Sequence, residues 1–322
     1  MRILLTGISG FAGSALLPRL LEQGHEVRAL ARDRDRVQLA LESMARESDG
    51  DVTLADFELV IGDTLSGAGI VQAMRDVEVA YYLIHSMEPA PSGVDGISFS
   101  ARERASAQTF ADAARAAGVS RVVYLGGPLP PEWASTHLSS RYAVERTLLE
   151  GVPGSVALRA SIVIGARSRS FRFLVRLIER LPVIALPAWR GFRTSPIDER
   201  DLVEMLALCA YDESVSGCSL QVAGPENLTY GELVQRIAEL MMLFRPSIGL
   251  GVSVTPIVAR LAAALADEQP ELVLPLMESL AGDLLPDGED ATAALNVELH
   301  SFDSAVEHAL YQWEKLEPLA AR

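Results

Sequence analysis

With 322 residues, of which 49% are hydrophobic and 22% charged, the chain has the composition of an ordinary globular protein, which excludes disorder as its main state. Its formal net charge of -15 is uneven: residues 1–200 carry 23 basic against 23 acidic side chains, and residues 201–322 carry 5 against 20. This excess of negative charge argues against a nucleic-acid partner, because binding phosphates requires a positive surface.

In chain order the pattern predicts strands at 2–6, 26–31, 57–61, 79–84, 121–125 and 155–159. Between them fall helices at 12–23, 34–47, 66–74, 101–117 and 141–150. The strands are short runs rich in Val, Ile, Leu and Tyr, and the helices place apolar residues at helical spacing. Such alternation requires parallel crossovers and a sheet covered on both faces. The prediction is an α/β fold, a Rossmann-type doubly wound parallel sheet formed by residues 1–160.

Beyond residue 160 the rhythm loosens. A helix carries Phe173, Leu174, Leu177 and Ile178, a loop rich in Pro and Trp runs over 182–196, and a helix spans 199–210. A strand at 219–223 and helices at 230–243, 256–266, 271–280 and 304–313 complete the chain. Residues 161–322 are expected to form a smaller, mostly helical substrate or lid region that trades elements with the first domain.

The segment Thr6-Gly7-Ile8-Ser9-Gly10-Phe11-Ala12-Gly13 follows the first strand and opens the first helix. Gly7 permits a tight turn, Gly10 lets the backbone approach a pyrophosphate, and Gly13 allows close helix packing; the helix N-terminus then receives the negative charge. The second strand ends at Arg32, where an NAD-specific protein usually carries an acid. A guidanium group there suits a 2'-phosphate, so NADP(H) is expected as cofactor ahead of NAD(H); an exposed arginine beside Asp33 is the alternative. Asp63, with Thr64 beside it, either accepts from the adenine amino group or caps a helix beginning near Ser66. Pro18 should kink the first helix.

His85 closes the fourth strand on the carboxyl side of the sheet, where ligands of such folds bind; it would touch the nicotinamide ribose or a substrate carbonyl, or else be a satisfied half-buried histidine. The five histidines are scattered without metal-ligand spacing, so no metal is expected. No Gly-x-Ser-x-Gly elbow is present, which argues against a hydrolase. Cys209 and Cys218 read as ordinary buried thiols. The apolar start is too short for a secretory leader, and the longest weakly charged stretch, Pro246 to Ala259, is broken by Pro256. The expectation is a soluble cytoplasmic protein without a membrane partner.

These residues resemble the atypical short-chain dehydrogenases/reductases, and among them the NmrA-like and YbjT-like NAD(P)H-binding group. The resemblance rests on the glycine loop, Tyr82-Leu83-Ile84-His85-Ser86-Met87, Val123-Tyr124-Leu125-Gly126-Gly127, His137-Leu138-Ser139-Ser140-Arg141 with Val144-Glu145, Leu158-Arg159-Ala160, and Pro196-Ile197 before Asp201. It implies that Leu83, Ile84, His85 and Gly126, with the Ala160-Ser161-Ile162 turn, line the nicotinamide side. Standard members use Ser, Tyr and Lys, with tyrosine supplying the proton and lysine lowering its pKa. Here the Ser position is Gly126 or Gly127, the Tyr position His137 and the Lys position Arg141.

His137 is a competent acid or base near neutrality, and it shares a helix face with Arg141 if that helix begins early enough. Arg141 cannot release a proton but can grip ribose hydroxyls or phosphate. The alternative places His137 in a loop and makes Arg141 a surface or structural residue. A literal Tyr-x-x-x-Lys, Tyr311 to Lys315, follows the whole fold; Tyr311 and Trp313 are expected to dock a terminal helix. Arg190 and Arg193, beside Trp189, are candidates for an anionic substrate group. The reading is an NADP(H)-dependent oxidoreductase acting on a small carbonyl or alkene, or else a non-catalytic NAD(P)-binding sensor or scaffold. The partner is a small-molecule substrate, its identity and the oligomeric state being open.

Overall fold

The computed structural model describes residues 1–47, 52–84, 98–129, 135–249 and 282–317. The predicted helices at 256–266 and 271–280, and the candidates His85 and Ser86, lie outside them.

Seven parallel strands form the central sheet. Six come from the first half: β1 (Arg2–Thr6), β2 (Glu26–Ala31), β3 (Glu58–Ile61), β4 (Val79–Tyr82), β5 (Arg121–Gly126) and β6 (Val156–Ala160). The helices α1 (Phe11–Glu22), α2 (Arg34–Glu47), α3 (Ile70–Ala73), α4 (Phe99–Ala117) and α5 (Thr136–Gly151) connect them. Next come β7 (Val163–Ile164), α6 (Arg169–Arg180), β8 (Ile184–Leu186), β9 (Arg193–Thr194), β10 (Ile197–Asp198) and α7 (Glu199–Leu208). The chain continues through β11 (Ser219–Val222), β12 (Leu228–Thr229), α8 (Tyr230–Leu240) and β13 (Ser247–Gly249), with two later helices, α9 (Ala291–Leu295) and α10 (Phe302–Leu316).

The sheet order is β11-β6-β5-β4-β1-β2-β3. Its direction reverses between β1 and β4, the crossing point that opens a crevice at the carboxyl ends of the strands. The seventh strand, β11, comes from beyond residue 160 and pairs with β6.

Side chains alternate across the pleat. Ile3 and Leu5 face one layer with Leu16, Leu17 and Leu206, while Leu4 faces the other with Tyr82, Phe110 and Tyr124. Both faces are buried, which is why the strands read as unbroken apolar runs. A third cluster joins α6, α8 and α10 around Phe171, Ile237 and Trp313.

Three local readings change. The helix expected over 66–74 is one turn, Ile70–Ala73, because Gly67 and Gly69 take φ of +77° and +72°, values foreign to a helix. α5 starts at Thr136 rather than Arg141, because the Ser135 side chain accepts from the Leu138 amide and caps it. The loop expected over 182–196 contains β8 and β9, which pair with β13 and β12. α1 runs through Pro18 as one helix.

Candidate functional site

The glycine loop sits at the strand crossing. Thr6 is fully buried: its hydroxyl donates to the Tyr81 carbonyl at 2.8 Å and accepts from the Leu83 amide at 3.2 Å. Thr6 therefore ties β1 to β4, and its side chain is turned inward rather than toward a ligand. Gly7 has φ +71°, and a Cβ there would lie 2.5 Å from the Leu83 carbonyl oxygen, so both the turn and the close approach demand glycine. The Gly7 carbonyl accepts from the Gly10 amide at 2.8 Å. A Cβ on Gly13 would fall 2.3 Å from that same carbonyl oxygen. The close packing that Gly13 permits is thus helix against loop.

Gly10 caps α1 without a side chain, and no acidic residue occupies the first turn. Ser9 and Gly10 are exposed. The result is a bare helix N-terminus, whose amides and dipole favour an anion. The Phe11 ring lies beneath Gly165, where a Cβ would come within 2.9 Å of it and 2.1 Å of the Glu199 carboxylate. The region after β6 thereby packs onto the loop.

Arg32 is exposed just past the end of β2. Asp33 beside it is engaged, accepting from the amides of Asp35 and Arg36 at 2.8 and 3.2 Å. Asp63 accepts from the Leu65 amide at 2.6 Å and from the Ser66 amide at 3.4 Å, an Asx turn within its loop and not the cap of a helix at Ser66. Thr64 is buried. Leu83 and Ile84 lie at the β4 end, half-buried.

On the other side of the crossing the sequence pattern departs. His137 and Arg141 do share α5 at four-residue spacing, but their side chains meet different neighbours. The His137 ring lies 6.2 Å from that of Phe99 on α4. The Arg141 guanidinium donates to the Leu125 carbonyl and stands 5.6 Å over the Tyr124 ring. Tyr124 in turn donates its hydroxyl to the Arg141 carbonyl at 3.2 Å, and burial pushes this phenol up to about 12 against the pull of Arg141. A phenol that is only 2% exposed does not replace the missing tyrosine.

Gly126 has a structural reason that the sequence did not reveal. In register it aligns with Arg159 on β6, which aligns with Gln221 on β11. Arg159 donates to Glu145 of α5 at 3.0 Å, and Glu145 also accepts from the Ser219 hydroxyl at 2.9 Å. The pair is nearly sealed, at 11% and 4% side-chain exposure. A Cβ on Gly126 would stand 3.0 Å from Tyr124 Cε1 and 3.6 Å from Glu145 Oε2. A serine there would press on Tyr124 beside this buried pair.

Beyond Gly126 a small, shallow opening follows the carboxyl ends of β5, β6 and β11. Ser161 faces it, accepting from the Thr194 hydroxyl at 3.0 Å and donating to the Ser195 carbonyl at 3.4 Å. The hydroxyl pair formed with Thr194 was not legible in the sequence, because its members are 33 residues apart in segments without a repeating pattern.

Other candidates fall away from the site. Arg193 is engaged by Asp283 at 3.0 Å, so it is not a free cation for an anionic substrate, and Arg190 is exposed. Tyr311 to Lys315 lie on α10, where the Lys315 ammonium stands 4.8 Å over the Tyr311 ring. Trp313 docks that helix, buried between Arg172 and Arg176, but Tyr311 does not, being 60% exposed. Cys209 is buried, its thiol pushed up to about 12 by desolvation, whereas Cys218 is only partly covered. Among the described residues no group of His, Cys, Asp and Glu can hold a metal ion, and no helix is long and apolar enough to cross a membrane.

Residues 3–136 match the family model described as the NAD dependent epimerase/dehydratase family. The match takes in the glycine loop and the strand ends up to Gly127, in keeping with the resemblance read there, and stops before His137; nothing in it is specific to the NmrA-like group. The chain is 24% identical over 261 residues to a divinyl chlorophyllide a 8-vinyl-reductase of Zea mays, covering 76% of this chain and 58% of the reductase. The chain thus spans little more than half the length of that relative. Among solved structures it superposes on the UDP-glucuronic acid 4-epimerase of Bacillus cereus, in complex with UDP-glucuronic acid and NAD, with TM-score 0.71 and 14% identity over 98% of this chain and 99% of that one. The UDP-glucose 4-epimerase of Thermotoga maritima gives TM-score 0.72 and 12% identity over 98% and 99%. At such identities these likenesses establish the fold.

Proposed function

We propose that this chain, whose first 136 residues carry a dinucleotide-binding half of the epimerase/dehydratase kind, is an NADP(H)-dependent oxidoreductase acting on a small carbonyl or alkene. The observation that carries the reading is the bare N-terminus of α1 at the strand crossing, under a loop that tolerates only glycine at Gly7 and Gly13. An anionic pyrophosphate fits such a site on grounds of charge and space. Arg32 favours the 2'-phosphate form, because the neighbouring carboxylate of Asp33 is turned away to cap α2.

The dinucleotide, when bound, supplies the hydride. The chain's own residues must orient the acceptor and provide a proton. His137 is assigned the proton transfer and Arg141 the grip on the cofactor beside the β5 end. A carbon-carbon double bond as acceptor is supported by the name of the maize relative, and a nicotinamide dinucleotide of either form by the NAD-bound epimerase complex. The cytoplasm is the proposed location, in keeping with two unpaired cysteines.

A second reading, a dinucleotide-binding sensor without turnover, is supported by the resemblance, which sets Gly126 or Gly127, His137 and Arg141 against the usual Ser, Tyr and Lys. Isothermal titration of NADP(H) and NAD(H) into wild type, Arg32→Ala and Arg141→Ala tests the cofactor assignment. Tight NADP(H) binding that is lost chiefly in Arg32→Ala supports it, and failure of both dinucleotides to bind overturns it. NADPH oxidation with any carbonyl or alkene, abolished in His137→Ala, separates enzyme from sensor.

A further inference from the structure

We infer that the turn between α8 and β13, with the adjoining start of β8, docks this chain on the surface of an anionic phospholipid bilayer. The inference uses no residue of the glycine loop, and it stands whether or not a dinucleotide is turned over there.

Three large apolar side chains stand out from the turn: Phe244 is 90% exposed, Met242 80% and Ile248 55%. The exposed Pro182 and Val183 join them, because the Ile184 amide donates to the Pro246 carbonyl at 3.0 Å and β8 then runs beside β13. The turn has a fixed geometry. At the end of α8 the Leu243 amide donates to the Ala238 carbonyl at 2.9 Å and the Met242 amide to that of Glu239 at 2.8 Å. This double closure of a helix usually takes glycine at its left-handed position. Here that position is Met242, with φ +58°, so a large side chain is kept where it strains the backbone and projects into water. The Arg245 guanidinium anchors the turn from the other side, donating to the Ile178 carbonyl of α6 at 3.0 Å. Strain and exposed apolar surface, both held at one fixed turn, mark it as a contact surface.

Charge narrows the occupant. The two stretches that form the surface, 181–197 and 240–249, hold three arginines and no acid, in a chain of net charge -15. Arg190 is exposed and lies against Gly249, where a Cβ would come within 2.4 Å of its Cζ. Arg180 ends α6 one residue past Glu179, whose carbonyl also accepts from Arg245, at 3.4 Å. Apolar tips flanked by guanidinium groups match a lipid surface, in which the tips enter the acyl boundary and the cations meet phosphate headgroups. A second copy of the chain fits less well, since three such side chains expose on the order of 400 Å², about half of what each partner of a stable pair buries. Contact of this kind lies in the membrane interface and needs no spanning helix.

The test is co-flotation of the full chain with vesicles of phosphatidylcholine, alone or mixed with phosphatidylglycerol. Wild type is expected to float with the mixed vesicles and several-fold less with phosphatidylcholine alone. Phe244→Asp should bind the mixed vesicles at least ten-fold more weakly, and Arg190→Gln should narrow the preference for phosphatidylglycerol. Met242→Gly removes both the strain and an apolar tip, so its melting temperature should rise while its vesicle binding falls several-fold. Wild type that does not float, or folded variants that float as wild type does, overturn the inference. So does a melting temperature lowered by more than a few degrees in Phe244→Asp, which would mean that Phe244 packs within its own chain. Light scattering covers the other occupant: an oligomer dissolved by Phe244→Asp would assign the surface to a second copy and overturn the lipid reading. Dinucleotide titration of Phe244→Asp is expected to match wild type, which keeps this result separate from the oxidoreductase reading.

Discussion

The two sides of the strand crossing follow different rules. On the β1 side Gly7 and Gly13 are enforced by backbone contact, at 2.5 Å and 2.3 Å, and the helix N-terminus is left uncovered. On the β5 side Gly126 or Gly127, His137 and Arg141, which the resemblance sets against the usual catalytic hydroxyl, phenol and ammonium, stand near a buried ion pair, Glu145 with Arg159. A fold can therefore keep its anion-binding geometry while rebuilding its proton-transfer side, because the first depends on backbone shape and the second on a few side chains.

The largest expected effect lies on the β5 side. Removing one partner of the buried pair, in Glu145→Ala, should lower stability by about 3–5 kcal/mol by stranding Arg159. Glu145→Leu with Arg159→Met should cost less than either single change, as read from urea denaturation of the cycle. Equal, additive losses would mean the two residues are not coupled and the contrast between the sides is overstated.

On the β1 side, Gly13→Ala forces a Cβ against the Gly7 carbonyl. Overpacking of this kind costs about 1–3 kcal/mol and should weaken dinucleotide binding at least ten-fold by displacing the loop. Fluorescence titration beside a melting curve measures both, and an unperturbed affinity would show that the loop is not the binding element. A smaller and more selective effect is expected from Arg32→Ala. Loss of a charge-assisted contact worth about 1.5–3 kcal/mol should weaken NADP(H) ten- to a hundred-fold, while NAD(H) changes less than three-fold.

The smallest effect concerns Cys209. Its thiol is held up to about 12 by burial, so iodoacetamide at pH 8 should label Cys218 alone until the chain is unfolded. The sign of the linked stability follows: between pH 9 and about 12 the unfolded chain releases this proton and the folded chain keeps it, so stability falls as pH rises through that window. Rapid labelling of Cys209 in the native protein would place it outside the core formed by α7 and the sheet.

The α/β class and the sheet strands from β1 to β6 were legible because parallel strands buried on both faces print as continuous apolar runs. The glycine loop was legible because its steric demands fall on consecutive residues. What failed was set by distant partners or by turn conformation. The positive φ of Gly67 and Gly69 cut α3 to one turn, and Ser135 lengthened α5 at its polar start, where no apolar spacing signals a helix. β8 and β9 have three and two residues, too few for a pattern, and exist through pairing with β13 and β12. The Glu145–Arg159–Ser219 cluster joins residues 74 apart at its extremes; nothing local announces it.

The place of β11 has a bearing on synthesis. The strand that closes the sheet beside β6 leaves the ribosome some 60 residues after its partner, a delay of about 3–12 s at 5–20 residues per second. During that interval β6 presents an unpaired edge, with Glu145, the partner of Arg159, lacking the Ser219 hydrogen bond that completes the cluster. A chain released at residue 160 would keep that edge permanently, and unpaired edges are templates for association between chains. Nascent chains of this protein should therefore depend on a holding chaperone in this window, and the dependence should vanish once residue 222 has emerged.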